Sequence, residues 1–184
     1  WCCRDVYVRD CGFTDADYLF FRSSGLEISG LRLKGKYTFQ YCRDIVIRDS
    51  VLDTKDAFWE SDNVTIYDST VRGEYLAWDS RNLKLVNCRI SGTQPLCYAK
   101  GLVLEDCTFE PDADLAFEYS EVEARVKGNI TSVKNKILSL HKDLDGKLID
   151  GSIIYEEGQS MYRRLLPEWA GVDPQTGEAA EPLK

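Results

Sequence analysis

The chain has 184 residues, seven Cys, one His and a formal net charge of -8. That length suits one domain with a real core, and the acidic balance argues against the basic stripe of a nucleic-acid or anionic-membrane binder. No apolar run approaches the ~20 residues of a membrane span, and His141 alone would have to serve any His-dependent site.

Trp1-Cys2-Cys3-Arg4-Asp5 reads as the end of a unit, because Tyr41-Cys42-Arg43-Asp44 closes a later one with the same Cys-Arg-Asp. The chain is therefore expected to begin partway through a repeat. Cutting at Val6, Leu26, Ile45, Val64, Leu83, Leu102 and Val122 gives segments of 19 or 20 residues. Each opens on alternating apolar residues, Val6/Val8, Leu26/Ile28, Ile45/Ile47, Val64/Ile66, Leu83/Leu85 and Leu102/Leu104. Period two with β-branched residues is a strand signature.

At the fifth position stand Asp10, Gly30, Asp49, Asp68, Asn87 and Asp106. These types tolerate left-handed backbone and satisfy local amides, so the position is a corner. The inward set then shifts to Cys11, Leu31, Ser50, Ser69, Cys88 and Cys107, followed by Phe13, Leu33, Leu52, Val71, Ile90 and Phe109. Gly25, Asp44, Asn63, Asn82 and Gly101 supply a second corner. No segment can bury its own face alone, whereas stacking places like residues above one another at ~4.8 Å. The fold is therefore all-β: a right-handed parallel β-helix of about six rungs. A hexapeptide or pentapeptide coil needs a different period, and a leucine-rich repeat needs a helical side.

Lys55-Asp56-Ala57-Phe58-Trp59, Gly73-Glu74-Tyr75-Leu76, Gly92-Thr93-Gln94-Pro95-Leu96-Cys97-Tyr98, Asp114-Leu115-Ala116-Phe117-Glu118-Tyr119 and Thr131-Ser132-Val133-Lys134-Asn135 resemble the bacterial DUF3737 family over residues 1–135. The resemblance implies a β-helix, a bacterial source and an N-terminal portion preceding Trp1, and it brings no assigned activity. The repeats take residues 1–133, with 122–133 as a last, less regular rung. Residues 134–166 read as irregular strands and a short helix (160–166) capping the solenoid, and 167–184 as a mobile tail.

The remaining strand of each rung carries the candidate site. Read with strand alternation, Leu19, Thr38, Ala57, Leu76, Pro95 and Leu115, then Phe21, Gln40, Trp59, Trp78, Cys97 and Phe117, point inward. The outward columns are Tyr18, Tyr37, Asp56, Tyr75, Gln94 and Asp114; Phe20, Phe39, Phe58, Ala77, Leu96 and Ala116; and Arg22, Tyr41, Glu60, Asp79, Tyr98 and Glu118. Tyr37, Phe39, Tyr41, Phe58, Tyr75 and Tyr98 offer flat apolar faces to sugar rings, and the carboxylates accept hydroxyl hydrogen bonds. Glu60 and Asp79, ~5 Å apart on adjacent rungs, with Asp56 and Glu118 near them, would form the acid and base of a glycosidase or polysaccharide lyase. The competing reading is structural: stacked rings stabilise rungs and outer acids keep a surface soluble, and one bulge would reverse the phase.

Three functions follow as expectations. One is a binding module for carbohydrate or a protein partner, another is the glycosidase or lyase, and the third is a solenoid that self-assembles through its ends or faces. The odd Cys count and the lack of a Cys-x-x-Cys pair predict reduced thiols, no metal, no cofactor and a cytoplasmic setting. Cys88 and Cys107 share a column, where inward Cys serves as a small apolar residue. His141 is expected in a loop outside the repeats.

Overall fold

The computed structural model describes residues 1–128 and 130–132 in full, and the backbone alone of strands at 139–144, 147–149, 153–154 and 163–164. Numbered in chain order, the first side of the coil is built by β1 (Arg4–Arg9), β3 (Ser24–Ser29), β5 (Arg43–Arg48), β7 (Asp62–Tyr67), β9 (Arg81–Val86), β11 (Leu102–Phe109) and β12 (Glu121–Val126). The second side holds β2 (Gly12–Phe13), β4 (Arg32–Lys36), β6 (Val51–Lys55), β8 (Thr70–Arg72), β10 (Arg89–Ser91) and the C-terminal part of β11. Each strand pairs in parallel with the equivalent strand of the next rung, and the register follows the apolar columns, Val6↔Leu26↔Ile45↔Val64↔Leu83. The chain is a parallel β-solenoid of about six turns.

The packing follows from the columns. Leu26, Ile45, Val64, Leu83, Leu102 and Val122 are buried, as are Ile28, Ile47, Ile66, Leu85 and Leu104 from the same side and Leu33, Leu52, Val71, Ile90 and Phe109 from the second side. The first corner, Asp10 to Asp106, has φ between +48° and +65° at every rung, and the second, Asp5 to Gly101, between +51° and +65°. Stacking aspartates would repel, and amides relieve this: Asn63 donates to Asp44 at 2.7 Å and Asn87 to Asp68 at 2.8 Å. Gly25 and Gly30 fit their corners because a Cβ would lie 2.5 Å from the Asp5 Oδ1 and 2.3 Å from the Asp10 Oδ1.

Ser50, Ser69, Cys88 and Cys107 point inward, as the spacing required. Ser50 and Ser69 each accept a backbone N–H of the preceding rung, at 3.0 Å, from Leu31 and Ser50 respectively. The Cys88 and Cys107 thiols donate to the Ile66 and Leu85 carbonyls. The contact with the Cys88 thiol and its own burial hold the Cys107 thiol well above its ordinary range.

Beyond Val126 the stack continues further than the repeats suggested. Ala116 donates its N–H to the Ser132 carbonyl, closing the 122–132 rung. The strand β13 (Ser139–Leu144) pairs in parallel with β12, and β14 (Lys147–Ile149) turns back antiparallel on β13. His141 therefore lies on a strand within the stack rather than in a loop. The expected helix at 160–166 falls largely outside the described residues, but Arg163–Arg164 forms a strand, β16, antiparallel to β15 (Ile153–Ile154). The tail at 167–184 is outside them altogether. Among the described residues no helix is long and apolar enough to cross a membrane.

Candidate functional site

The third side of the coil is not a β-strand. Every second residue there has positive φ: Tyr18, Phe20 and Arg22; Tyr37, Phe39 and Tyr41; Asp56, Phe58 and Glu60; Tyr75, Ala77 and Asp79; Gln94, Leu96 and Tyr98; Leu115, Phe117 and Tyr119. Non-glycine residues avoid this region because Cβ crowds the backbone. Here it is held by lateral hydrogen bonds that alternate in direction. Tyr37 donates to Lys55 on one neighbouring rung at 2.8 Å, Phe39 to Leu19 on the other at 2.9 Å, and Tyr41 to Trp59 at 2.8 Å.

This backbone corrects the inward and outward assignment. In- and outward alternation belongs to extended residues, and these are not extended. Two successive columns point inward instead. Thr38, Ala57, Leu76, Pro95 and Ala116 are buried, and so are Phe20, Phe39, Phe58, Ala77, Leu96 and Phe117. Phe39 and Phe58, expected on the surface, are 0% exposed and form an inner ladder with Phe20, with ring centroids 5.6 and 4.8 Å apart. Asp56, also expected outside, is largely covered, and burial pushes its carboxyl up from the usual range. Conversely Phe21, Trp59 and Trp78, expected inside, are half-buried and carry the outer surface.

Two extra residues between the second and third sides of the last rung move its residues one position from the columns read in the sequence. Gln94 donates to the Asp114 carbonyl and Tyr98 to the Glu118 carbonyl, as Tyr37 does to Lys55 and Tyr41 to Trp59. The surface column is therefore Arg22, Tyr41, Glu60, Asp79, Tyr98 and Tyr119, with Glu118 one column away. Glu118 accepts the Tyr98 hydroxyl at 3.2 Å. Burial, together with Glu118, raises the Tyr98 phenol to about 12.

Of the four acids proposed for chemistry, the fold brings only Glu60 and Asp79 together. Both are exposed, on adjacent rungs, and neither carboxylate has an ion-pair or hydrogen-bond partner among the described residues. With Ser61, Asp62 and Arg81 they line an open depression. Asp56 lies at the far end of the same run and Glu118 is engaged by Tyr98. Tyr41 and Tyr98 flank the carboxylate pair in their column, Tyr41 being 42% exposed.

Rings continue on both sides. Trp59 meets Trp78 at 5.4 Å, Trp78 meets Tyr75 at 5.2 Å and Tyr98 at 5.1 Å, and Tyr98 stacks on Tyr119 at 5.5 Å. The Trp78 indole is fixed by donation to the Gln94 carbonyl at 2.9 Å. On lower rungs Tyr18 stacks on Tyr37 at 5.0 Å and Phe21 meets Tyr41 at 5.4 Å, with the Arg22 guanidinium over both of the latter rings. Trp59 and Trp78 reach the surface in the sequence reading only if the strand phase is reversed, and Tyr119 stands in neither of its columns. The signal was the repeated apolar doublet, Leu19-Phe20, Ala57-Phe58, Leu76-Ala77 and Pro95-Leu96, which strict alternation cannot bury on one side.

The molecule is thus a β-solenoid with an aromatic face set about a pair of open carboxylates. The chain belongs to the DUF3737 family, described as a protein of unknown function, whose family model matches residues 1–155. The match runs past residue 135 to take in β13, β14 and β15. No curated protein and no solved structure matches the chain.

Proposed function

We propose that this solenoid is a saccharide-binding module that uses its third side. The observation that carries the reading is the surface column in which Glu60 and Asp79, both unpaired among the described residues, stand between Tyr41 and Tyr98 beside Trp59 and Trp78. Trp59, Trp78 and Tyr98 are partly exposed, and their rings meet at 42° and 60° rather than in flat stacks that would cover each other's faces. Such faces receive the apolar side of a pyranose, while the carboxylates accept hydroxyl hydrogen bonds. The open depression supports binding rather than turnover, because a glycosidase acid works in an enclosed, water-poor cleft.

Calorimetric titration of neutral and charged oligosaccharides tests this. Trp78→Ala and Tyr98→Ala are expected to weaken a bound glycan about tenfold or more, equal to about 1.4 kcal/mol each. Glu60→Gln, at an exposed position, is expected to weaken it with no change in fold. A panel in which no glycan binds the unaltered protein would refute the reading.

A further inference from the structure

The saccharide reading can be deepened from the direction in which the rings run. The rings of Trp59, Trp78, Tyr98 and Tyr119 occupy four successive rungs, each in contact with the next. Rungs rise ~4.8 Å, which is close to the length of one pyranose unit in an extended chain. Three rises therefore span ~14 Å. The platform is a track along the solenoid axis and is not a closed pocket. Among the described residues no ring contact joins Tyr41 to Trp59, so Phe21 and Tyr41 form a second, shorter platform on the two rungs before that of Glu60. The open carboxylates of Glu60 and Asp79 lie on the two rungs where the long track begins.

We infer, resting on the saccharide reading, that the ligand is a linear polysaccharide laid parallel to the solenoid axis, with one sugar over each of the Trp59, Trp78, Tyr98 and Tyr119 rungs. An equatorially linked chain fits best, because it is a flat ribbon whose ring planes keep one orientation from unit to unit while successive units present alternate faces, and both faces of such a sugar carry axial C–H groups. A monosaccharide or a compact branched glycan would cover one rung and leave the remaining rings unused.

The test is a length series. β-1,4-linked glucose and N-acetylglucosamine oligomers of two to six units are titrated against the full chain. The dissociation constant is expected to fall several-fold with each unit up to four. Tyr119→Ala is expected to weaken the tetramer several-fold and to leave the dimer unchanged, whereas Tyr119→Phe, which keeps the ring, retains tetramer affinity. Circular dichroism of each variant checks the fold. A dimer that binds as tightly as the hexamer, in a manner abolished by Trp78→Ala, overturns the inference and leaves the saccharide reading standing. If no length of either series binds while another glycan does, the inference is overturned and that glycan's site is sought by the same variants. If no glycan binds at all, both fall.

Discussion

Replacing Phe39 and Trp59 separately by Ala separates the two backbone descriptions of the third side. Phe39 is 0% exposed and its ring sits between those of Phe20 and Phe58, at 5.6 and 4.8 Å. Removing a buried Phe costs about 3–5 kcal/mol in transfer and cavity terms, and losing two stacked partners adds about 0.5–1.5 kcal/mol each. These terms put the expected loss for Phe39→Ala at about 4 kcal/mol or more. Trp59 is half-buried and touches Trp78 from one side. Its truncation is expected to cost about 1–2 kcal/mol. Both changes leave the backbone conformation as it is, and Ala at position 39 inherits the same left-handed φ of +58°. Urea unfolding followed by far-ultraviolet circular dichroism gives the two values, provided that the slope of each transition matches that of the unaltered protein. An extended third strand reverses the order, since it would bury Trp59 and expose Phe39. A smaller loss for Phe39→Ala than for Trp59→Ala would therefore refute the left-handed backbone.

The Ser column offers a paired test. The Ser61 hydroxyl accepts from the Cys42 N–H at 3.3 Å and donates to the Phe39 carbonyl at 2.6 Å, whereas the buried Ser80 hydroxyl has no partner among the described residues. Ser61→Ala is expected to destabilise by about 1 kcal/mol and Ser80→Ala to be neutral or slightly stabilising; equal losses in urea unfolding would contradict this. Gly73→Ala is expected to destabilise strongly, because φ is +135° and an added Cβ would lie 2.3 Å from the Thr54 carbonyl oxygen; retention of the original melting temperature would show that the rung can shift. The Tyr98 phenol, at about 12, should ionise well above the ordinary Tyr range in a spectrophotometric titration. Its folded pKa is raised, so the associated stability is whole below the ordinary Tyr value of about 10 and is lost as pH rises through about 12. Glu118→Gln is expected to lower that titration, and an unchanged midpoint would remove Glu118 as a cause.

Two sides of the coil were legible because each rung repeats the same residue types at the same spacing. Asp, Asn and Gly marked both corners, and alternation of Val, Ile and Leu gave the inward columns. Those signals depend on extended backbone and on rare residue types at turns, so they survive in one sequence. The third side obeys neither condition. Its left-handed residues are Tyr, Phe, Asp, Glu and Ala, none of which signals positive φ as glycine does, and the conformation is imposed by bonds to adjacent rungs. Period-two reading consequently buried Trp59 and exposed Phe39. The pairing of Glu60 with Asp79 was readable, since their segments have the same length and place both in one column. The place of Glu118 was not, because two extra residues enter the last rung between Phe109, which still pairs with Ile90, and Leu115, and only the hydrogen-bond register locates them.

Alternating handedness also bears on how the stack could grow. A foreign strand in β conformation can copy the N–H and C=O rows of the first two sides, which is how exposed sheet edges recruit other chains into fibrils. On the third side the donors point up and down by turns, as Tyr37 and Phe39 do. Only a segment that already alternates between left- and right-handed residues can match that row. An ordinary aggregation-prone peptide satisfies two sides of a rung and is refused by the third, so the backbone of this face acts as a lock whose key is another rung of the same kind.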